Sequence, residues 1–393
     1  MVNTLSHLGV GLLLSYALGL KGKKRLGLVL LSVLPDLDYF TYSIFTFISG
    51  SVSHETRNQL FYLLGHREFT HSIFFSFLVA LLIWIRTTDR VFTFGSFQAV
   101  FLHSLLDYTT NAKMRPFYPL STNESALRAI YPLDPVLNIL PLLPLFIAAA
   151  KYLKNKDFWN FKSRSGWGLK SRSGWNFKFR SGWSIKSRDR WSIKSRDMWN
   201  RKLNGLSGLF GFVNRNEKKL YASLILVLLM WVTVFPIAKT LLVDHISDEE
   251  GTKISYKNTY PISPGRFLAA YSYNDTHYKL LEVSYLSGVK KSFYVKKVSV
   301  SGDIPDASTY AEKVGRLYSN SVPQAIDYPA YAVSEENGFV TVVLSDARNP
   351  YVDKWPYFDT VYRFVFDRRS GEYEVSESHY GRAEKKLENN YFE

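Results

Sequence analysis

HREFTHS at 66–72 sets two imidazoles, His66 and His71, around the carboxylate of Glu68, at the mouth of an apolar run that continues to residue 85. The chain has no cysteine, so thiolate sites are excluded and a metal can bind only through histidine nitrogen and carboxylate oxygen. Three further sets of such side chains stand at the ends of other apolar runs: His7, the pair Asp36 and Asp38, and His103 with Asp107. Four of the eight histidines fall in these motifs, all before residue 104. His103 and Asp107 are four apart, so on a helix they share a face and can grip one cation. An ionised aspartate near a bilayer centre costs about 2.5–3.5 kcal/mol, so Asp107 must be paired, metal-bound or close to the interface. Asp36 and Asp38 follow Pro35, which disfavours a helix running on through Leu34. In an extended or turning backbone, residues two apart point the same way, and both carboxylates can then face one site; a turn or helix cap is the plainer explanation of either alone. His7 by itself would be a buried structural histidine. Glu68 can serve as ligand or general base, Arg67 can neutralise an anionic substrate through bidentate contacts, and Thr70 can cap a helix that starts at His71.

The elements that must hold these groups are apolar runs at about 5–20, 26–34 continuing patchily to 48, 71–85, 96–108, 130–150 and 220–243. Residues 220–238 carry no charge over 19 positions, close to the ~20 that cross a ~30 Å hydrocarbon core as a helix. The shorter runs suit spans, buried core helices or re-entrant segments alike. The N-terminus lacks the basic segment and the small-residue cleavage site of a signal peptide and is expected to be retained, His7 included.

Charge gives these runs an orientation. Between residues 151 and 219, 19 Lys/Arg stand against 4 Asp/Glu, an excess equal to the +15 of the whole chain, so the remainder is neutral. Basic charge confined to one segment beside apolar runs argues against nucleic acid as a partner and for a cytoplasmic loop. Lys21, Lys23, Lys24 and Arg25 follow the first run, and Arg86 and Arg90 follow the third. With those ends cytoplasmic, every candidate ligand lies on the extracytoplasmic side, and the sixth run carries the C-terminal region there too.

Residues 154–201 form an octapeptide array, with Trp159, Trp167, Trp175, Trp183, Trp191 and Trp199 in register. In an extended chain an even period sends every indole to the same side, whereas on a helix the stripe precesses by roughly 80° per repeat. Its Ser and Gly content reads as a tether: either a solvated linker or an attachment to anionic lipid, at about 1 kcal/mol per basic residue. From 244 onward the pattern alternates and is rich in tyrosine. Strands are expected over 279–285, 292–300, 338–344, 360–366 and 372–375, with a hairpin loop at 367–371, in a β-rich or α+β domain of about 150 residues. His245, His277 and His379 read as ordinary surface residues.

The combination of His7, LPDLD at 34–38, HREFTHS at 66–72 and HSLLD at 103–107 resembles the membrane-bound metal-dependent hydrolases called YdjM-like. The order His, Asp, His and His-x3-Asp along helices is also similar to the zinc-dependent phospholipase C and single-strand nuclease group. The resemblance covers roughly residues 1–140. It implies a hydrolase, and it leaves the array and the C-terminal domain without an activity.

The expected architecture is a mainly α-helical integral-membrane domain (1–150), a basic repeat linker (151–219), one transmembrane helix (220–243) and a β-rich soluble domain (244–393). The expected function is a membrane-bound hydrolase of an ester or phosphoester, such as a lipid headgroup. His7, Asp36, Asp38, His66, His71, His103 and Asp107 form the ligand pool, Glu68 manages protons and Arg67 holds an anionic group. Zinc suits histidine and carboxylate ligands with open positions, and it brings bound water to a pKa of ~7. Seven ligands exceed one tetrahedral site, so either the cluster is multinuclear or some members stand behind the ligands. The rival expectation is a non-catalytic, metal-stabilised membrane anchor that displays the β-rich domain.

Overall fold

A computed structural model describes residues 3–48, 52–110, 113–155, 215–321, 326–352, 360–378, 384–387 and 392. The octapeptide array and His379 lie outside them. The N-terminal half is helical: α1 Thr4–Ala17, α2 Gly22–Leu31, α3 Asp38–Ile48, α4 His54–Leu64, α5 Ile73–Thr87, α6 Arg90–Thr109, α7 Pro135–Ile139 and α8 Leu143–Asn155. Side chains cap many of these starts and satisfy the orphan amides of the first turn. Asn3 caps α1, Asp89 caps α6, and Asp134 caps α7 while also accepting from Trp231 Nε1 at 3.1 Å.

Of two local expectations, one is met and one corrected. The stretch after Leu34 takes the turning alternative, a single 3₁₀ turn over Pro35–Leu37 that bends the path from α2 into α3 by 56°. Ser72, not Thr70, caps α5, accepting from the amide of Phe75; the Thr70 hydroxyl is spent on Asp38.

The apolar run at 220–243 is the middle of a longer helix, α9, Glu217–Glu250. Among the described residues it is the one single helix long and apolar enough to cross a membrane; α2 with α3 would count only as one broken span, and α1 and α5 are shorter. α9 outruns its apolar run because its last turns have a second partner: Leu242, Val243 and Ile246 pack on Phe267, Ala269, Leu281 and Val283. It stops at Gly251, whose φ of 63° a side chain would strain.

The C-terminal part holds two sheets. β1 Tyr260–Ser263, β2 Arg266–Ser272, β3 His277–Ser284 and β4 Gly288–Lys296 form an antiparallel meander. β5 Val298–Ser301, helix α10 Ala307–Ser321, β6 Pro329–Glu336, β7 Phe339–Asp346, β8 Val361–Asp367, β9 Tyr373–Ser378 and the short β10 Lys385–Lys386 form the second, in the order β10-β9-β8-β7-β6-β5 with β5 and β6 parallel. α10 covers it through Val314 and Tyr318 against Val342, Phe364 and Phe366. The hairpin at 367–371 and the strands expected over 279–285, 338–344, 360–366 and 372–375 are present; the one expected over 292–300 is broken at Lys297 into β4 and β5, which belong to different sheets, and β1, β2, β6, β10 and α10 are additional.

Candidate metal centre

The helices bring their ligand-bearing ends together. His7 lies in the first turn of α1, Asp36 lies within the turn after α2 and Asp38 closes it, His71 precedes α5, and His103 and Asp107 lie in the last two turns of α6. The basic end of the same helices is opposite: Lys24 pairs with Asp89, and a side chain at Gly19 would run into Lys218 at the start of α9.

Two histidines are fixed in orientation by what stands behind them. His103 Nδ1 is 2.8 Å from the carbonyl of Ser32, which can only accept, so Nδ1 carries the proton and Nε2 presents a lone pair. His71 Nδ1 faces Asp38 Oδ2 at 3.2 Å and Thr70 Oγ1 at 3.1 Å; the Thr70 hydroxyl donates to that same carboxylate oxygen. The His71 Nε2 lone pair therefore also points inward. The two Nε2 atoms lie 3.2 Å apart, an arrangement that repels unless a positive charge stands between them.

The neighbours complete a set of donors. Asp36 Oδ1 is 3.4 Å from His103 Nε2, while its Oδ2 accepts from Thr4 Oγ1 at 2.8 Å. His7 stacks on His103 with ring centroids 3.7 Å apart and sets its Nε2 3.5 Å from Asp107 Oδ1. Donor atoms held ~2.1 Å from a tetrahedral cation are about 3.4 Å from each other, so these separations are those of a shared ligand shell. Two triads keep one donor atom of each member within 4.8 Å of the others, His7–His103–Asp107 and Asp36–His71–His103, with His103 common to both. His7 Nδ1 is buried without a hydrogen bond, and the buried His7 Nε2 and Asp107 carboxylate make ion-pair contacts, with each other and with Arg67 Nε, rather than hydrogen bonds. A buried polar atom left unsatisfied is costly unless something absent from the polypeptide completes it.

The expected pool thus divides. His7, Asp36, His71, His103 and Asp107 present atoms to one volume. Asp38 is spent on support: Oδ1 accepts from His66 Nδ1 at 2.6 Å, and Oδ2 takes the Arg67 amide at 2.8 Å together with Thr70 and His71. His66 packs against Tyr39, ring centroids 4.0 Å apart, and its Nε2 is buried without a partner. Arg67 has φ 68°, a left-handed backbone that a bulky residue adopts at a cost, and its Nε stands 3.1 Å from Asp107 Oδ2 while Nη2 finds no acceptor. Glu68 is turned toward Arg115, Oε1 to Nη1 at 2.6 Å, and its Oε2 is buried and unpartnered. Burial pushes the Glu68 carboxyl up to about 8, against the opposing pull of Arg115.

Asp38→Asn keeps the volume but turns one acceptor into a donor facing groups that already donate. Metal affinity should fall roughly 10- to 100-fold, read by chelator competition on purified protein. An unchanged affinity would remove Asp38 from the support of the centre.

Sequence reasoning passed over Arg115, Thr4, Tyr39 and the Ser32 carbonyl. Arg115 meets Glu68 across 47 positions, a separation with no periodicity to read, and a main-chain oxygen leaves no mark in a motif.

Residues 1–169 match the YdjM inner membrane protein family. No curated protein and no solved structure matches the chain. The match spans less than half of the 393 residues but takes in every candidate ligand, together with Arg67 and Glu68. The family's description places its members in a membrane and names no reaction. The YdjM-like part is therefore the helical part, and α9 with both sheets lies beyond it.

Proposed function

We propose that the YdjM-like part is a multi-pass membrane domain whose centre holds one or two divalent cations, zinc foremost, and hydrolyses an ester or phosphoester such as a lipid headgroup. The observation that carries this is the pair of inward Nε2 lone pairs of His71 and His103, 3.2 Å apart and backed by Asp38 and Ser32. His7, Asp36, His71, His103 and Asp107 would hold the cation. When bound, it would supply Lewis acidity to a carbonyl or phosphoryl oxygen and acidify water.

The remaining chemistry falls to the chain's own groups. Arg67, with Nη2 unspent, offers a fixed donor to an anionic substrate. Glu68 has one free carboxylate oxygen on which to accept a proton, while Arg115 fixes the other. Burial of the centre excludes bulk water and strengthens these charges. Separation of the ligand end from the basic end, with Lys21–Arg25 and Arg86 on the other side, supports an extracytoplasmic centre.

Purified full-length protein should carry stoichiometric zinc or a similar ion by elemental analysis, and should hydrolyse some member of a panel of lipid-like esters and phosphoesters. Full metal occupancy with no turnover across the panel would leave the display anchor as the better account, a reading that the unbroken passage of α9 into the first sheet also suits.

A further inference from the structure

The segment that carries His66, Arg67, Glu68 and His71 is tied to more than the helices around it. Arg115, itself buried, donates through Nη1 to Glu68, through Nη2 to Glu124 Oε1 at 2.7 Å, and through Nε to the carbonyl of Thr122 at 2.8 Å. Lys113 stands 3.7 Å from Glu124 Oε2 and donates to Asp327 Oδ1 at 3.1 Å. Asp327 precedes β6 in the C-terminal part, where its Oδ2 takes Arg348 Nη2 at 3.0 Å; Arg348 in turn grips Asp346 with two nitrogens. Carboxyl and cationic groups alternate without a break from Glu68 through Arg115, Glu124, Lys113 and Asp327 to Arg348. Arg128 makes a second crossing, 3.6 Å from Asp327 Oδ2 and donating to the carbonyl of Lys257.

We propose that Asp327 is a positioning residue for the candidate metal centre, so that the docked C-terminal domain fixes Glu68 and the loop around it through Lys113, Glu124 and Arg115. Charges in so dry a place are held only by their partners. Asp327 holds Lys113 beside Glu124, and Lys113 in turn holds the carboxylate that Arg115 grips, so removing either charge frees Glu124 to turn away from Arg115. Arg115 then loses one of its two carboxylates, and the anchor of Glu68 loosens. The 3₁₀ turn Phe69–His71 starts from Glu68, whose carbonyl accepts the His71 amide, so disorder at Glu68 passes directly to a proposed ligand.

The inference rests on the proposed centre only for what the loop does; its test reads backbone order. In the full-length chain, the amides of Arg67, His71 and Ser72 donate to Asp38, to the Glu68 carbonyl and to the Phe69 carbonyl, and they should exchange slowly with deuterium. Asp327→Asn and Lys113→Met should each speed exchange at these positions roughly 10- to 100-fold, with β7 and β8 still protected, and Asp327→Glu should restore the wild-type rate. Where Asp327→Asn also unsettles β7 and β8, Lys113→Met decides, because Lys113 lies outside that domain. Unchanged exchange over residues 65–72 in Lys113→Met overturns the proposal. A chain that binds no metal still reports on the link, so failure of the hydrolase reading and failure of this inference give different results.

Discussion

His71→Ala combined with His103→Ala should leave purified protein nearly free of divalent cation, with affinity lower by a factor of about 100 or more and the helices still folded by circular dichroism. The expectation is this large because the two lone pairs belong to one shell and His103 serves both triads. Removing both imidazoles leaves His7 and two aspartates, too few neutral donors for zinc to prefer the site over water. The apo-fold should not suffer, since the double variant relieves a repulsion rather than emptying an apolar core. Retention of stoichiometric metal by the double variant would sink the centre as assigned. The single variants rank the triads: His103→Ala should cost more than His71→Ala, because it breaks both.

Glu68→Gln separates proton transfer from metal binding. The amide keeps the shape and can still accept from Arg115 through its oxygen, but it cannot take a proton from a nucleophile. Turnover on whatever ester or phosphoester the wild type accepts should drop roughly 10²- to 10⁴-fold, while elemental analysis shows metal near the wild-type level. Loss of metal together with activity would make Glu68 a ligand. Turnover within twofold of wild type would pass the proton to another carboxylate, with Asp36 nearest to hand at His103.

The candidate cluster was legible because its members are side chains with unmistakable chemistry, set at the ends of apolar runs. Their division into ligands and supports was not, because it depends on which oxygen meets which nitrogen. Asp36 and Asp38 look equivalent in LPDLD, yet the 3₁₀ turn sends one to His103 and the other to His66 and His71. The additional strands have a similar cause. β2 is buried at five successive positions, Phe267–Tyr271, because one face meets the end of α9 and the other meets Tyr328 and Ala347, so the alternation that marks a half-exposed strand is erased. β6 is hidden the other way: among its residues only Val333 is fully buried, and its composition reads as polar loop. α10 did carry a helical period in Ala307, Ala311, Val314 and Tyr318, which a search for strands in a Tyr-rich region passes over.

The 34 residues of α9 measure about 51 Å, and a bilayer core would take up only ~30 Å of it. The remaining ~20 Å is mast, not tether: Leu242, Val243 and Ile246 are bolted to the first sheet, and buried Lys239 donates to the carbonyls of Leu127 below and Tyr256 above. The C-terminal domain therefore rides at a set height and a set azimuth over the helices.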